Sequence, residues 1–155
     1  MSTHRVTLTR RWLGTGGEIN WIMLNPSTAD ELADDPTIRK CIGFSKRWGF
    51  SSLVVTNLFS FRATHPKDLK DLVRSDYARA VGDNDGALIE CASRAQLVVA
   101  AWGTHGNIAG RAEDVLYRVI PSVDLYCIAR TKDGFPLHPC MAGYTDAPLE
   151  FRRAA

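Results

Sequence analysis

No run of apolar residues in this chain is long enough to span a bilayer, and the opening MSTHRVTLTRRW contains no leader-like apolar stretch. Cytoplasmic residence without a membrane partner is the expectation. Several chemical signatures are missing as well. There is no GxxxxGK[ST] phosphate cradle and no GxSxG elbow. The GTGG at 14–17 precedes a strand-like segment and does not open a helix, so it is no dinucleotide fingerprint. His4, His65, His105 and His138 show neither HxH nor HxxxH spacing, and Cys41, Cys91, Cys127 and Cys140 lack the close pairs of a zinc site. Neither metal nor cofactor is expected, and the cysteines read as free thiols, three of them within apolar patterns. Excess charge is also missing: a net +2 leaves any nucleic-acid surface to a local patch.

What remains is an ordinary globular composition, 45% apolar and 23% charged over 155 residues, enough for one domain with a useful core. Val6, Leu8 and Trp12 fall at even positions, which suggests a strand with one buried face. GTGG would join it antiparallel to the next strand, WIML at 21–24, which stops at Asn25-Pro26. DDPTIRKCIGFSKRWGF then looks helical, with Asp35 as cap, Pro36 at the first helical position and Gly49 as a stop. A β-branched run at 53–55 ends in Asn57. SDYARAVGDNDGALIECASRA has helical spacing interrupted near Gly82. QLVVAAWGTHG is a further strand, NIAGRAEDVLYRVI a further helix and SVDLYCIARTKDG the last strand, before a loop-like tail.

Strands alternating with helices, several as short continuous apolar runs, predict a single three-layer α/β/α domain. Its sheet is small, mainly parallel and four-stranded, with the N-terminal antiparallel strand added. Each strand yields to polar or glycine residues at its carboxyl end: Asn25, Asn57, Gly103-Thr104-His105 and Arg130-Thr131. In open α/β sheets ligands bind beyond those ends, so residues far apart in sequence are expected to converge there. Paired amides suit reading a nucleobase edge or fixing a water, and they accept protons poorly. Chemistry built on them works by position and electrostatics. Asp30, Asp34 and Asp35 read as caps and solvated acids, one of which could accept a proton.

The motifs LNPSTAD, NLFSFRAT and AAWGTHG make the whole chain similar to a bacterial and phage family that carries them. Beyond that, the motif order resembles the uracil-DNA glycosylase superfamily over residues 21–141. MLNPS matches a first motif ending in Asn-Pro, TNLFSFRAT a base-reading Asn with a following Arg-Ala, VVAAWG a Leu-Leu-Trp-Gly strand end, and LHPCMAG a late His-Pro loop. The resemblance implies hydrolysis of the N-glycosidic bond of a damaged or modified base flipped out of DNA, which is repair chemistry, carried out by a monomer. It implies that Asn25 orients the water and His138 stabilises the departing base. Asn57 reads the base, with Ser27, Phe59 and His105 around it, and Pro26, Arg62, Thr104, Pro139 and Met141 meet DNA. The chain departs from the family pattern in having Asn25 where the fastest members have Asp, and Ser27 and Thr28 where Tyr-His or Gly commonly follows. An enzyme for free nucleosides or nucleotides, or a noncatalytic nucleic-acid or nucleotide binder, would use the same amides.

Overall fold

A computed structural model describes residues 2–27 and 29–154. The fold is α/β. Its strands are β1 (Leu8–Arg11), β2 (Glu18–Met23), β3 (Ser52–Asn57), β4 (Leu97–Ala100), β5 (Leu125–Cys127) and β6 (Leu149–Arg152). They form one mixed sheet in the order β1-β3-β2-β4-β5-β6. β2, β3, β4 and β5 run parallel, while β1 and β6 are antiparallel edges. The sheet therefore has six strands where the sequence reading has four plus one. The added strand is β6, in the tail that the sequence predicts as loop. Leu149 and Glu150 are exposed, so no apolar alternation marks it. β1 also pairs with β3 and not with its chain neighbour β2. GTGG is thus a crossover, not a hairpin turn.

Helices cover both faces. α1 (Pro36–Arg47) lies on one, where Ile38, Cys41 and Phe44 pack with Ile19, Trp21, Met23, Val55 and Val99. Asp35 caps α1, its Oδ1 accepting from the Ile38 N–H at 2.8 Å, and Pro36 takes the first turn where no donor is needed. Trp21 stacks on Trp48 just beyond the helix, with ring centroids 5.6 Å apart. The opposite face carries α2 (Pro66–Ser75), α3 (Tyr77–Val81), α4 (Asp85–Arg94) and α5 (Arg111–Asp114), which runs on into a π-helical turn (Val115–Val119). Leu69, Val73, Ala80, Leu88, Val115 and Val119 meet Ile22, Val98, Ala100 and Leu125 there. Alternate residues of β2 and β4 serve the two cores, as the strand period of two requires. Gly82, at φ +67°, breaks the helical run between α3 and α4 where the sequence predicts an interruption. α2 has only Leu69 and Val73 buried, too sparse a stripe to stand out from the sequence. Cys41, Cys91 and Cys127 are buried and Cys140 is exposed. Among the described residues no helix is long and apolar enough to cross a membrane.

The strand order contains a topological switch. After β2 the chain moves through α1 to β3 on one side. It then crosses the other face through α2, α3 and α4 to β4 on the opposite side of β2. The loops leaving β2 and β4 consequently part from each other, and a crevice opens between them at the carboxyl ends of the strands.

Candidate functional site

A half-open cavity of about 460 Å³ occupies that crevice. It is bordered by the ends of β2 and β3, the loop after β4 and the segment around His138. Asn25, Pro26, Ser27, Asn57, Thr104, His105 and His138 all line it. Residues spread over more than a hundred positions thus line one cavity, most of them because parallel strands end on the same edge.

Asn25 is locked by the chain beside it. The turn after β2 runs along the segment after β3, with Leu58 N–H on Met23 O, Phe59 N–H on Leu24 O and Ala63 N–H on Pro26 O. Across this seam the Asn25 Nδ2 donates to Ala63 O at 2.8 Å, Pro26 O at 3.1 Å and Phe61 O at 3.3 Å. Three carbonyls can only accept, so they fix which amide atom is nitrogen. The Asn25 Oδ1 is left as an acceptor without a partner among the described residues. This is what the abrupt Asn-Pro stop builds: an oriented carbonyl dipole at the cavity wall.

Asn57 ends β3 with only 2% of its surface exposed. Its backbone carbonyl accepts from the Asn84 Nδ2, yet its own carboxamide has no hydrogen-bond partner among the described residues. Buried side-chain amides in folded proteins are nearly always bonded. One that is not, and that lines a cavity, offers a donor and an acceptor to whatever fills it.

His138 arrives on a turn. A bridge between Arg130 and Pro136, with Leu137 N–H on Ala129 O, folds the segment after β5 back toward the sheet. Gly103 N–H then binds Pro136 O at 3.0 Å. Gly103 has φ +72°, and a Cβ there would lie 3.5 Å from the Cβ of His138, so the loop after β4 and the His138 turn sit in close contact. The Nδ1 of His138 accepts the Cys140 N–H at 3.2 Å. A backbone amide cannot accept, so the neutral ring carries its proton on Nε2. Burial pushes the His138 imidazole below its ordinary value of 6.5, with the Asp35 charge opposing in part.

The cavity also holds charges that the sequence did not single out as site residues. Among the described residues lining it, Asp35 is the one acid and Arg5 the one arginine or lysine. Asp35 turns both oxygens inward, Oδ1 to α1 and Oδ2 to the Ser27 hydroxyl at 2.6 Å. Arg5 donates through Nη1 to Ala29 O, and burial followed by neighbouring Arg62 depresses its pKa. In the sequence Asp35 reads as a helix cap and as one of three acids that could accept a proton; that α1 starts at the edge where β2 ends is what places it at the cavity wall. For Arg5 the sequence carried no signal, since the strand pairing that delivers it is tertiary.

Four expected residues stand elsewhere. Phe59 is wholly buried in the core, edge-on to Tyr77, and cannot stack on a ligand. Pro139 is buried and Met141 is 76% exposed, and neither lines the cavity. Arg62 does not line the cavity, although its charge reaches Arg5. Thr28 lies outside the described residues.

The model of the family described as "Protein of unknown function (DUF1643)" matches residues 5–140. No curated protein and no solved structure matches the chain.

Proposed function

For this chain, which belongs to the DUF1643 family, we propose hydrolysis of an N-glycosidic bond, with a damaged or modified base flipped from DNA as the leaving group. The observation that carries the reading is the meeting of Asn25, Asn57 and His138 in one cavity at the switch point of the sheet. In this reading Asn57 holds the base by its hydrogen-bonding edge. The bond between base nitrogen and sugar C1′ breaks, and its electron pair leaves with the base. The Nε2–H of His138, neutral because Nδ1 is already an acceptor, donates to a carbonyl oxygen of that anion. Asn25 Oδ1 accepts one hydrogen of a water and aims its oxygen at C1′ of the oxocarbenium-like sugar. The proton shed by the water and the one later taken up by the base balance through solvent. None of these groups is a strong base, so rate comes from orientation and from stabilising charge as it develops.

The test is a panel of duplex oligonucleotides, each carrying one modified base, treated with the protein and then with alkali. Strand cleavage at one of them is expected. His138→Ala should lower the rate roughly 100- to 1,000-fold, as loss of an oxyanion donor does elsewhere. No cleavage anywhere, with Asn25→Ala and His138→Ala binding every ligand as the wild type does, ends the reading. A free nucleoside or nucleotide is the second substrate class. A cavity of about 460 Å³ is the size that small-molecule sites have.

A further inference from the structure

Two helices begin at the cavity, and they differ. At α1 the Ile38 N–H meets the Asp35 carboxylate. At α2, ten residues long, His65 occupies the cap position and its side chain makes no capping hydrogen bond. Thr64 and Pro66, at that same terminus, line the cavity. The positive end of the α2 dipole therefore faces the cavity rim without a side-chain cap, with the exposed Asp68 farther along its first turn.

Arg5 lines the same cavity. Residues 3–5 pair antiparallel with the chain after β3: Arg5 N–H binds Ser60 O at 2.9 Å, Arg62 N–H binds Thr3 O at 2.8 Å, and His4 bridges to Phe61. This brings the half-buried guanidinium of Arg5 to the cavity wall. Its Nε is buried and has no partner among the described residues. Holding a guanidinium there, close to Arg62 and partly out of water, is unfavourable in itself. An anion would relieve both costs. The Asp35 and Asp30 charges offset part of that cost, but among the described residues neither carboxylate pairs directly with the guanidinium, and the two Asp35 oxygens accept from Ile38 N–H and the Ser27 hydroxyl. A third, independent observation also points to a ligand: the Asn57 carboxamide, 2% exposed and without a hydrogen-bond partner among the described residues, lines the same cavity.

We propose that Arg5, Thr64 and the N-terminus of α2 form a phosphate subsite next to the base-reading Asn57, so that the ligand is a nucleotide and not a bare base or nucleoside. This rests on the reading of the cavity as a base pocket and adds the phosphate to it. The phosphate belongs either to a free mononucleotide or to a DNA strand; the chemistry that recognises it is shared.

The experiment is a set of NMR titrations in phosphate-free buffer. The probes are inorganic phosphate, the common deoxynucleosides, their 5′-monophosphates and a short oligothymidylate. Inorganic phosphate should shift the backbone amides of Thr64, His65, Lys67 and Asp68 and the Nε of Arg5. A 5′-monophosphate should bind about tenfold or more tightly than its nucleoside, the usual worth of hydrogen bonds to a charged group. Arg5→Gln should remove that advantage, and Arg5→Lys should keep most of it. Asn57→Ala should weaken nucleoside and nucleotide alike and leave inorganic phosphate binding unchanged. A monophosphate binding as well as the oligonucleotide identifies a free nucleotide; tighter, salt-sensitive binding of the oligonucleotide identifies a strand. Both support the subsite. Unmoved amides at Thr64, His65, Lys67 and Asp68, or Arg5→Gln binding the monophosphate like wild type, overturn it, as does an equal loss in Arg5→Lys and Arg5→Gln. If phosphate binds as described but no nucleoside does and Asn57→Ala is silent, the base reading fails and the phosphate subsite stands.

Discussion

At the scale of single residues, the site depends on what each polar atom is already doing. Asn25 and His138 each have one side committed to backbone, and that commitment determines what the other side presents: an acceptor from Asn25, a donor from His138. The consequence for His138 is measurable. Its folded pKa lies below 6.5, so between the two values the unfolded chain binds more protons than the folded one. The stability it contributes is complete above pH 6.5 and is lost as the pH falls from there through the lowered folded value. A proton NMR titration of the ring should show a midpoint below 6.5. The Asp35 charge raises the ring's pKa, so Asp35→Asn should move that midpoint lower still. A midpoint at or above 6.5 would mean that the ring is not buried as described. Asn57 differs: among the described residues its carboxamide makes no hydrogen bond, so in the proposed reading its donor and acceptor are left to the ligand.

At the scale of elements, capping separates stability from binding. Asp35 closes α1 and also lines the cavity. Replacing it with Ala should cost about 1 kcal/mol in urea unfolding, the usual worth of a cap, whereas Asn, an equally good cap, should cost only a few tenths. Equal losses in the two variants would show that the carboxylate charge, not the cap, holds this turn. How well each element could be read from sequence follows from the same physics. α1 was legible because cap, proline and apolar stripe agree. β2, β3 and β4 were legible as short continuous apolar runs buried on both faces. α2 and β6 were not: one has too few buried side chains and the other has an exposed face, so neither leaves a periodic mark. β1 was seen as a strand, but its pairing was not, because neighbours in sequence are only usually neighbours in a sheet.

At the scale of the molecule, the convergence of Asn25, Asn57 and His105 was legible because it needs only parallel strands and a shared edge, whereas His138 reaches that edge through the turn after β5. Arg5 was not legible, since its place depends on a pairing between the chain's beginning and the segment after β3. Both cases lead to one consequence. The cavity wall is assembled from residues between Arg5 and Cys140, drawn from the start of the chain, the ends of β2 and β3, the beginnings of α1 and α2, and the loops after β4 and β5. No fragment contains it, so whatever occupies it can recognise only the fully folded chain. Occupancy and melting temperature are then coupled by mass action. A ligand at a hundred times its dissociation constant should add about 2.7 kcal/mol to global stability, readable as an upward shift in a dye-based melt. The Asn57→Ala and Arg5→Gln variants should lose that shift for the part of the ligand each one holds. The protein thereby acts as its own detector, reporting through its melting curve which molecules in a chemical library belong to it.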